Sequence, residues 1–187
     1  CALPIYVLIT KDLTINNIYE LPKNCSLGTS SPRRVAYVKM LRPDIKVVSL
    51  RGNITSRIAK VIKGRIFSII IAKAGINRLD IKDTNINISP IPITKILPSP
   101  GQGAIAIVYK KSNSFNKKLS TLVDNANTRI TLSAERALIK KINGNCFTPL
   151  AALAKIKGNQ IVINARLFSN DGNKYVEEKL IGPIGKA

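Results

Sequence analysis

DIKVVSLRGNITSRIAKVIKG, residues 44–64, is a strand, a polar loop and a helix in immediate succession. Branched and apolar residues over 45–50 predict a strand. Asn53 stands where a helix needs an N-cap, the spacing predicts a helix over 54–63, and Gly64 stops it. The stretch before it, CSLGTSSPRRVAYVKMLRP at 25–43, has the same form. There Ser31 takes the N-cap position and Pro32 the first helical position, where a missing N–H costs nothing. The stretch after it, IFSIIIAKAG at 66–75, is apolar almost throughout, as a strand buried on both faces should be. Tyr6–Thr10 reads as a further strand. Strands alternating with helices predict an α/β fold around a parallel or mixed sheet.

Further along, the texture changes. Pro90, Pro92, Pro98 and Pro100 mark residues 84–100 as a crossing segment or linker. GAIAIVYK, 103–110, has the composition of another strand. Over 127–142, Ile130, Ala134, Ala137, Leu138 and Ile142 trace one apolar helical face. Residues 150–180 then predict three strands, joined by KGNQ and NDGN, with Asp171-Gly172 as a hairpin signal. The shift places a boundary near residue 125, between an α/β part and a smaller α+β part with a three-stranded sheet.

Composition narrows the chemistry. No apolar run approaches the roughly 18–20 residues of a membrane span. CALPIYVLIT at the start has no basic leader and no small-residue cleavage site, so it does not read as a signal peptide. The three cysteines, Cys1, Cys25 and Cys146, are odd in number and widely spaced, which fits a reducing compartment better than a disulfide framework. With no His and no C-x-x-C pair, Ser–His and Cys–His nucleophiles are excluded, and no metal site is expected. The net charge of +20 should attract polyanions, either nucleic acid or an acidic small molecule. The basic residues are mostly lysines spread along the chain, so a solvated surface is an equally good reading.

Two strand–helix junctions stand out. GTSSPRR offers Gly28, the hydroxyls of Thr29, Ser30 and Ser31, and the pair Arg33 and Arg34, at a helix N-terminus. LRGNITSR offers Arg51, Gly52, Asn53 and Arg57 at the next. Open α/β sheets bind ligands beyond the carboxyl ends of their strands. Helix N-termini favour anions, and Arg grips carboxylate or phosphate with a planar fork. Together the loops suit a ligand with several negative groups. Capping residues beside solvated arginines would give the same sequence. Few aromatics and no Trp argue against a base-stacking platform, and the Gly-Lys-Ser/Thr ending of a phosphate loop is missing. A small molecule with several carboxylates fits better. In KINGNCFTPLAAL, 141–153, Cys146 follows the turn signal Asn143-Gly144-Asn145, an unusual position for a merely buried thiol.

LGTSSPRRVAYVKMLRPDIKVVSLRGNITSRIAKV, IIIAKAGINRL, LPSPGQGAIAI, SAERALIKKINGNC and the DG of the last hairpin occur in the order seen in one enzyme family. From about residue 20 onward the chain resembles the porphobilinogen deaminases, or hydroxymethylbilane synthases. The resemblance implies a transferase of porphyrin and haem biosynthesis that condenses porphobilinogen into the linear tetrapyrrole hydroxymethylbilane and releases ammonia. It implies three domains, two of them like periplasmic binding proteins. It implies a dipyrromethane cofactor joined by a thioether to the cysteine of the GNC loop, Cys146, whose thiolate is the reacting form and is favoured by positive surroundings. Thr29, Ser30, Ser31, Arg33 and Arg34 match the first cofactor-contacting loop. Arg51, Gly52 and Arg57 match the second, Arg78 a third segment, and Gln102 the segment that returns to the first domain.

On this resemblance, residues 1–10 are a remnant of the first domain or a hinge, 11–97 the second α/β domain, 98–124 a strand returning to the first domain, and 125–187 the α+β domain with the cofactor cysteine. The family's His-Ser-Met-Lys-Asp stretch, with its expected proton-handling Asp, has no counterpart, so no catalytic residue is retained. Asp12, Asp44, Asp80, Asp83, Asp124 and Asp171 lie elsewhere. CALPIY replaces the family's Asp-Pro-Arg-Asp lead-in, and the usual final helix is absent. The resemblance thus implies a piece of a longer cytoplasmic, monomeric enzyme, acting on porphobilinogen without nucleic acid or membrane, and inactive by itself. The alternative is a basic α/β module that binds polyanions such as nucleic acid.

Overall fold

The structure is a computed structural model that describes residues 4–81, 84–110 and 114–186. Strand β1, Tyr6–Thr10, precedes two strand–helix units: β2, Ser26–Gly28, with α1, Pro32–Leu41, and β3, Lys46–Val48, with α2, Ile54–Ile62. Then come β4, Ser68–Ala72, α3, Lys73–Arg78, and β5, Asn87–Ile91. These strands form one five-stranded sheet in the order β3-β2-β4-β1-β5. Pairing is parallel where the strand–helix units repeat, in β2 with β3 and with β4. It turns antiparallel where β1 enters between β4 and β5. The sheet is therefore mixed.

The apolar runs are explained by two cores, one on each face. Tyr6 and Leu8 of β1 and Ile70 of β4 pack with Tyr37 and Val38 of α1. Val7 and Ile9, with Ile69 and Ile71, pack with Ile58 and Val61 of α2. A strand between two apolar layers has no polar side to alternate with. Both predicted helix starts form. Pro32 is the first residue of α1, although Ser31 makes no side-chain capping bond. Asn53 caps α2 by accepting from Ser56 N at 2.8 Å.

Two sequence expectations fail here. Residues 84–100 are not only a connection, since β5 lies within them and pairs Pro90 with Val7. Because β5 is an edge strand, the donor that proline lacks is not required on the outer side. Residues 103–110, expected as a strand, form none: Ile105 is 71 % exposed and Val108 93 %. A strand needs neighbouring backbone to bond with, and among the described residues no strand pairs with this one. After it comes helix α4, Ser114–Val123, where only a returning strand was expected.

Helix α5, Ala126–Lys141, leads to the second sheet, β6 at Leu150–Lys157, β7 at Gln160–Phe168 and β8 at Tyr175–Pro183, in the order β6-β7-β8. The sheets share a core: Phe168 meets Tyr37 edge-on at 4.7 Å between ring centroids. The hairpin turn between β7 and β8 rests on α1. Gly172, at φ +77°, would place a Cβ 3.1 Å from Ala36 Cα, and Lys39 Nζ donates to Asp171 O at 3.0 Å.

Glu135 of α5 fastens the turn at 99–102 to β6. Its buried carboxylate accepts from Gly101 N at 2.6 Å and from Ala154 N at 2.8 Å. Burial raises its pKa above the usual 4.5, with those two bonds opposing. A glutamine can accept from only one of two such N–H groups, so Glu135→Gln should cost about 1–3 kcal/mol for the buried donor left over. The folded state also holds the Glu135 proton more tightly than the unfolded chain. That contribution to stability is complete below the unfolded pKa and is lost as pH rises through the raised folded value. In urea melts at pH 4 and pH 8, the gap between wild type and Glu135→Gln should therefore narrow at the higher pH. A gap that widens would show that burial does not dominate.

Candidate functional site

Cys146 sits where the sequence placed it, in an exposed turn after α5. Asn143, at φ +49°, ends the helix, and Gly144 N returns a bond to Ile139 O at 2.9 Å. Asn145 holds the next residues in place. Its side chain accepts from Phe147 N at 2.9 Å, and its backbone N donates to Thr148 Oγ1 at 2.9 Å. The thiol is thus presented by a turn braced on both sides. It opens into a 240 Å³ cavity whose lining includes Arg33, Ser99, Pro100 and Leu150.

Arg33 brings the first loop to that cavity. It projects from the first turn of α1 and donates to Tyr6 Oη at 3.0 Å and to Leu150 O at 3.4 Å, while its buried Nε has no partner. Arg34, next to it, turns against the interior strands β4 and β1, donating to Ile70 O at 3.0 Å and lying 4.4 Å over the Tyr6 ring. Burial lowers the pKa of Arg34 from its ordinary value; Tyr6 opposes this, and the charges of Arg33 and Arg57 add to the lowering. The hydrogen bonds of both guanidinium groups run to neutral oxygens, so positive charge is concentrated there.

The hydroxyls of the first loop have different positions. Thr29 is buried, and its Oγ1 accepts from Ser31 N at 3.3 Å. Ser30 ties the first loop to the second: its hydroxyl donates to Leu50 O at 2.9 Å and accepts from Leu50 N at 2.8 Å. In the second loop Arg51 is exposed, and Arg57 Nε donates to Gly52 O at 2.7 Å. Gly52 has φ +112°, and a Cβ there would strike Ser56 Oγ, so glycine is required. Arg78 and Gln102 line a second cavity of 270 Å³ with Gly75 and Ala104. Asp80 is exposed, with φ +45°, and Asp83 lies outside the described residues, as does Cys1. A larger hollow of 510 Å³, lined by Arg129 and Arg136, lies between residues 104–107 and helices α4 and α5 and contains none of these side chains.

Tyr6 is the residue that sequence reading passed over. It is 1 % exposed and its hydroxyl donates to Gln102 Oε1 at 2.5 Å while accepting from Arg33. The one available signal was a tyrosine at the head of a largely apolar strand, since a buried phenol needs a partner.

A family model described as "Porphobilinogen deaminase, dipyromethane cofactor binding domain" matches residues 3–118, and "Porphobilinogen deaminase, C-terminal domain" matches residues 129–187. The chain belongs to the porphobilinogen deaminase family. It is similar to the "Probable porphobilinogen deaminase" of Ignicoccus hospitalis, 37 % identical over 89 % of this chain and 53 % of that protein. It is also similar to porphobilinogen deaminases of Sphingopyxis alaskensis, 36 % identical over 94 % of the chain and 55 % of the relative, and Clostridium acetobutylicum, 38 % identical over 95 % and 59 %. The chain thus spans about half the length of the curated relatives it matches. Among solved structures, a periplasmic binding protein of Salmonella typhimurium with high arginine specificity aligns at a TM-score of 0.42 and 13 % identity, covering 73 % of this chain and 55 % of that one.

The residues of this deaminase-family chain fit a dipyrromethane. An exposed thiol, a neighbouring Arg with an unpartnered buried Nε, and a Gln with an unpartnered buried Nε2 suit a group that needs one covalent tether and several donors for its carboxylates. Among the described residues no cluster of His, Cys, Asp and Glu could hold a metal ion, and no helix is long and apolar enough to cross a membrane.

Proposed function

We propose that the protein condenses porphobilinogen units head to tail into hydroxymethylbilane, releasing ammonia at each step, and that this chain supplies the thiol and the carboxylate grip. The observation that carries the reading is that Cys146 and Arg33 line one and the same cavity. Cys146 would hold a dipyrromethane by a thioether. When bound, that group supplies a fixed pyrrole chain end to which the next unit is joined. Arg33 and Arg34, with Arg51 and Arg57 of the second loop, Arg78, and the donors of Thr29, Ser30, Ser31, Gly52 and Gln102, would orient the acetate and propionate groups. Their charges act most strongly where water is excluded, as beside the buried guanidinium of Arg34.

The division proposed is a second α/β domain over 11–97, a return segment over 98–124 and the cysteine-bearing domain over 125–187, in a cytoplasmic monomer. The cavity beside Cys146 has no carboxylate in its lining, so proton transfer at the pyrroles falls to groups outside it. The 187 residues alone are accordingly proposed not to complete the reaction.

An acidic aldehyde reagent for pyrroles tests the reading. Protein purified from the complete reading frame should colour after denaturation and washing, and porphobilinogen should yield uroporphyrin fluorescence after oxidation. The 187-residue chain alone should give fluorescence no higher than a no-protein control. A colourless complete protein, with or without porphobilinogen, would point to a polyanion-binding module instead.

A further inference from the structure

We infer that Tyr6 is a positioning residue that makes Gln102 present hydrogen-bond donors, and no acceptor, to the cavity it shares with Arg78. This rests on reading that cavity as a place for pyrrole carboxylates, and it concerns a residue that no part of that reading uses.

The Tyr6 hydroxyl has one proton and is buried, so that proton needs an acceptor. Arg33 Nη2, 3.0 Å away, is a guanidinium nitrogen that can only donate, so the phenol oxygen accepts there. The phenolic proton then goes to the other neighbour, Gln102, at 2.5 Å. Only the amide oxygen can receive it, which decides the orientation of a side chain whose two ends have the same shape. With Oε1 held by Tyr6, Nε2 is turned away. It is buried and has no protein partner, and Gln102 lines the cavity together with Arg78. The flipped amide would leave the phenolic proton without an acceptor and would aim an oxygen at any carboxylate beside Arg78.

The same phenol organises side chains from two distant parts of the chain, the Arg33-Arg34 pair and Gln102. Its oxygen joins Arg33 and Gln102, and its ring carries the Arg34 guanidinium at 4.4 Å. Tyr6→Phe separates these roles, because it keeps the ring and removes only the oxygen and its proton.

The test uses protein from the complete reading frame, ¹⁵N-labelled, with the Gln102 side-chain amide assigned by its loss in Gln102→Leu. Wild type should show one pair of Gln102 amide proton signals, and Tyr6→Phe a second, exchanging set from the freed amide. With porphobilinogen as probe, Tyr6→Phe should raise KM about tenfold, the loss of one good hydrogen bond, with kcat within about twofold. Gln102→Glu keeps an acceptor for Tyr6 but turns an oxygen into the cavity, so it should raise KM at least as far. One undisturbed amide pair in Tyr6→Phe, or an unchanged KM in both variants, overturns the assignment. The amide spectrum needs no turnover, so a wild-type protein that never consumes porphobilinogen would remove the functional reading while the spectrum still decides the role of Tyr6.

Discussion

In protein expressed from its complete reading frame, Cys146→Ser is expected to leave the chain at its bare polypeptide mass, with no covalent pyrrole. The thiolate is the form that makes a thioether, and a serine hydroxyl stays un-ionised near neutral pH and is far less nucleophilic. The substitution changes little else: the side chain is exposed, and the turn is braced by Asn145 and Thr148 rather than by sulfur. Cys25→Ser is the internal control. Its thiol is half-buried, and burial pushes its pKa up, both unfavourable to alkylation. Intact mass after incubation with porphobilinogen should therefore show the increment in wild type and Cys25→Ser and none in Cys146→Ser. An increment that survives in Cys146→Ser would move the anchor elsewhere and separate Arg33 from the tether.

Local chemistry shows in local sequence. Asn53 and Pro32 announce their helices because a cap and a first-turn proline act within a few residues. The turn at 143–146 shows itself in the same way, through an Asn in the left-handed region and a Gly beside it. Contacts made by the third dimension do not. Pro90 reads as a linker until β5 is seen at the sheet edge. The apolar run at 103–110 reads as a strand because composition carries no information about whether a partner is present.

The site shows the same split. Loop residues chosen for type and spacing do gather: Ser30 clasps Leu50 of the second loop, and Arg33 reaches the cysteine cavity. Their different uses were hidden. Arg34 is engaged largely by Ile70 O and the Tyr6 ring, Arg51 stays exposed, and the residue that joins Arg33 to Gln102 belongs to a stretch whose sequence showed only a strand. Glu135 was equally hidden, a lone acid on a helix of mixed polarity whose two acceptor bonds come from distant segments.

Arg33→Leu is expected to have the larger effect among the arginine variants, and Arg51→Leu the smaller. Arg33 is held at both ends of its fork, by Tyr6 and Leu150, and so meets a carboxylate in the Cys146 cavity without first losing side-chain freedom. Arg51 is exposed, must be ordered on binding, and acts through water that screens it. Losing a charge-assisted bond in a sheltered place costs about 1.5–3 kcal/mol, roughly 10- to 150-fold in affinity. Arg33→Leu should therefore stall cofactor loading or raise the KM for porphobilinogen by that factor, with far-ultraviolet circular dichroism unchanged. It also strips Tyr6 of its donor, so a modest fall in melting temperature should accompany the functional loss. Arg33→Lys restores charge but not the fork and should recover only part of the loss. If Arg33→Leu loads cofactor and turns over like wild type while Arg51→Leu fails, the carboxylates are gripped at the exposed second loop, and the cavity beside Cys146 serves only the tether.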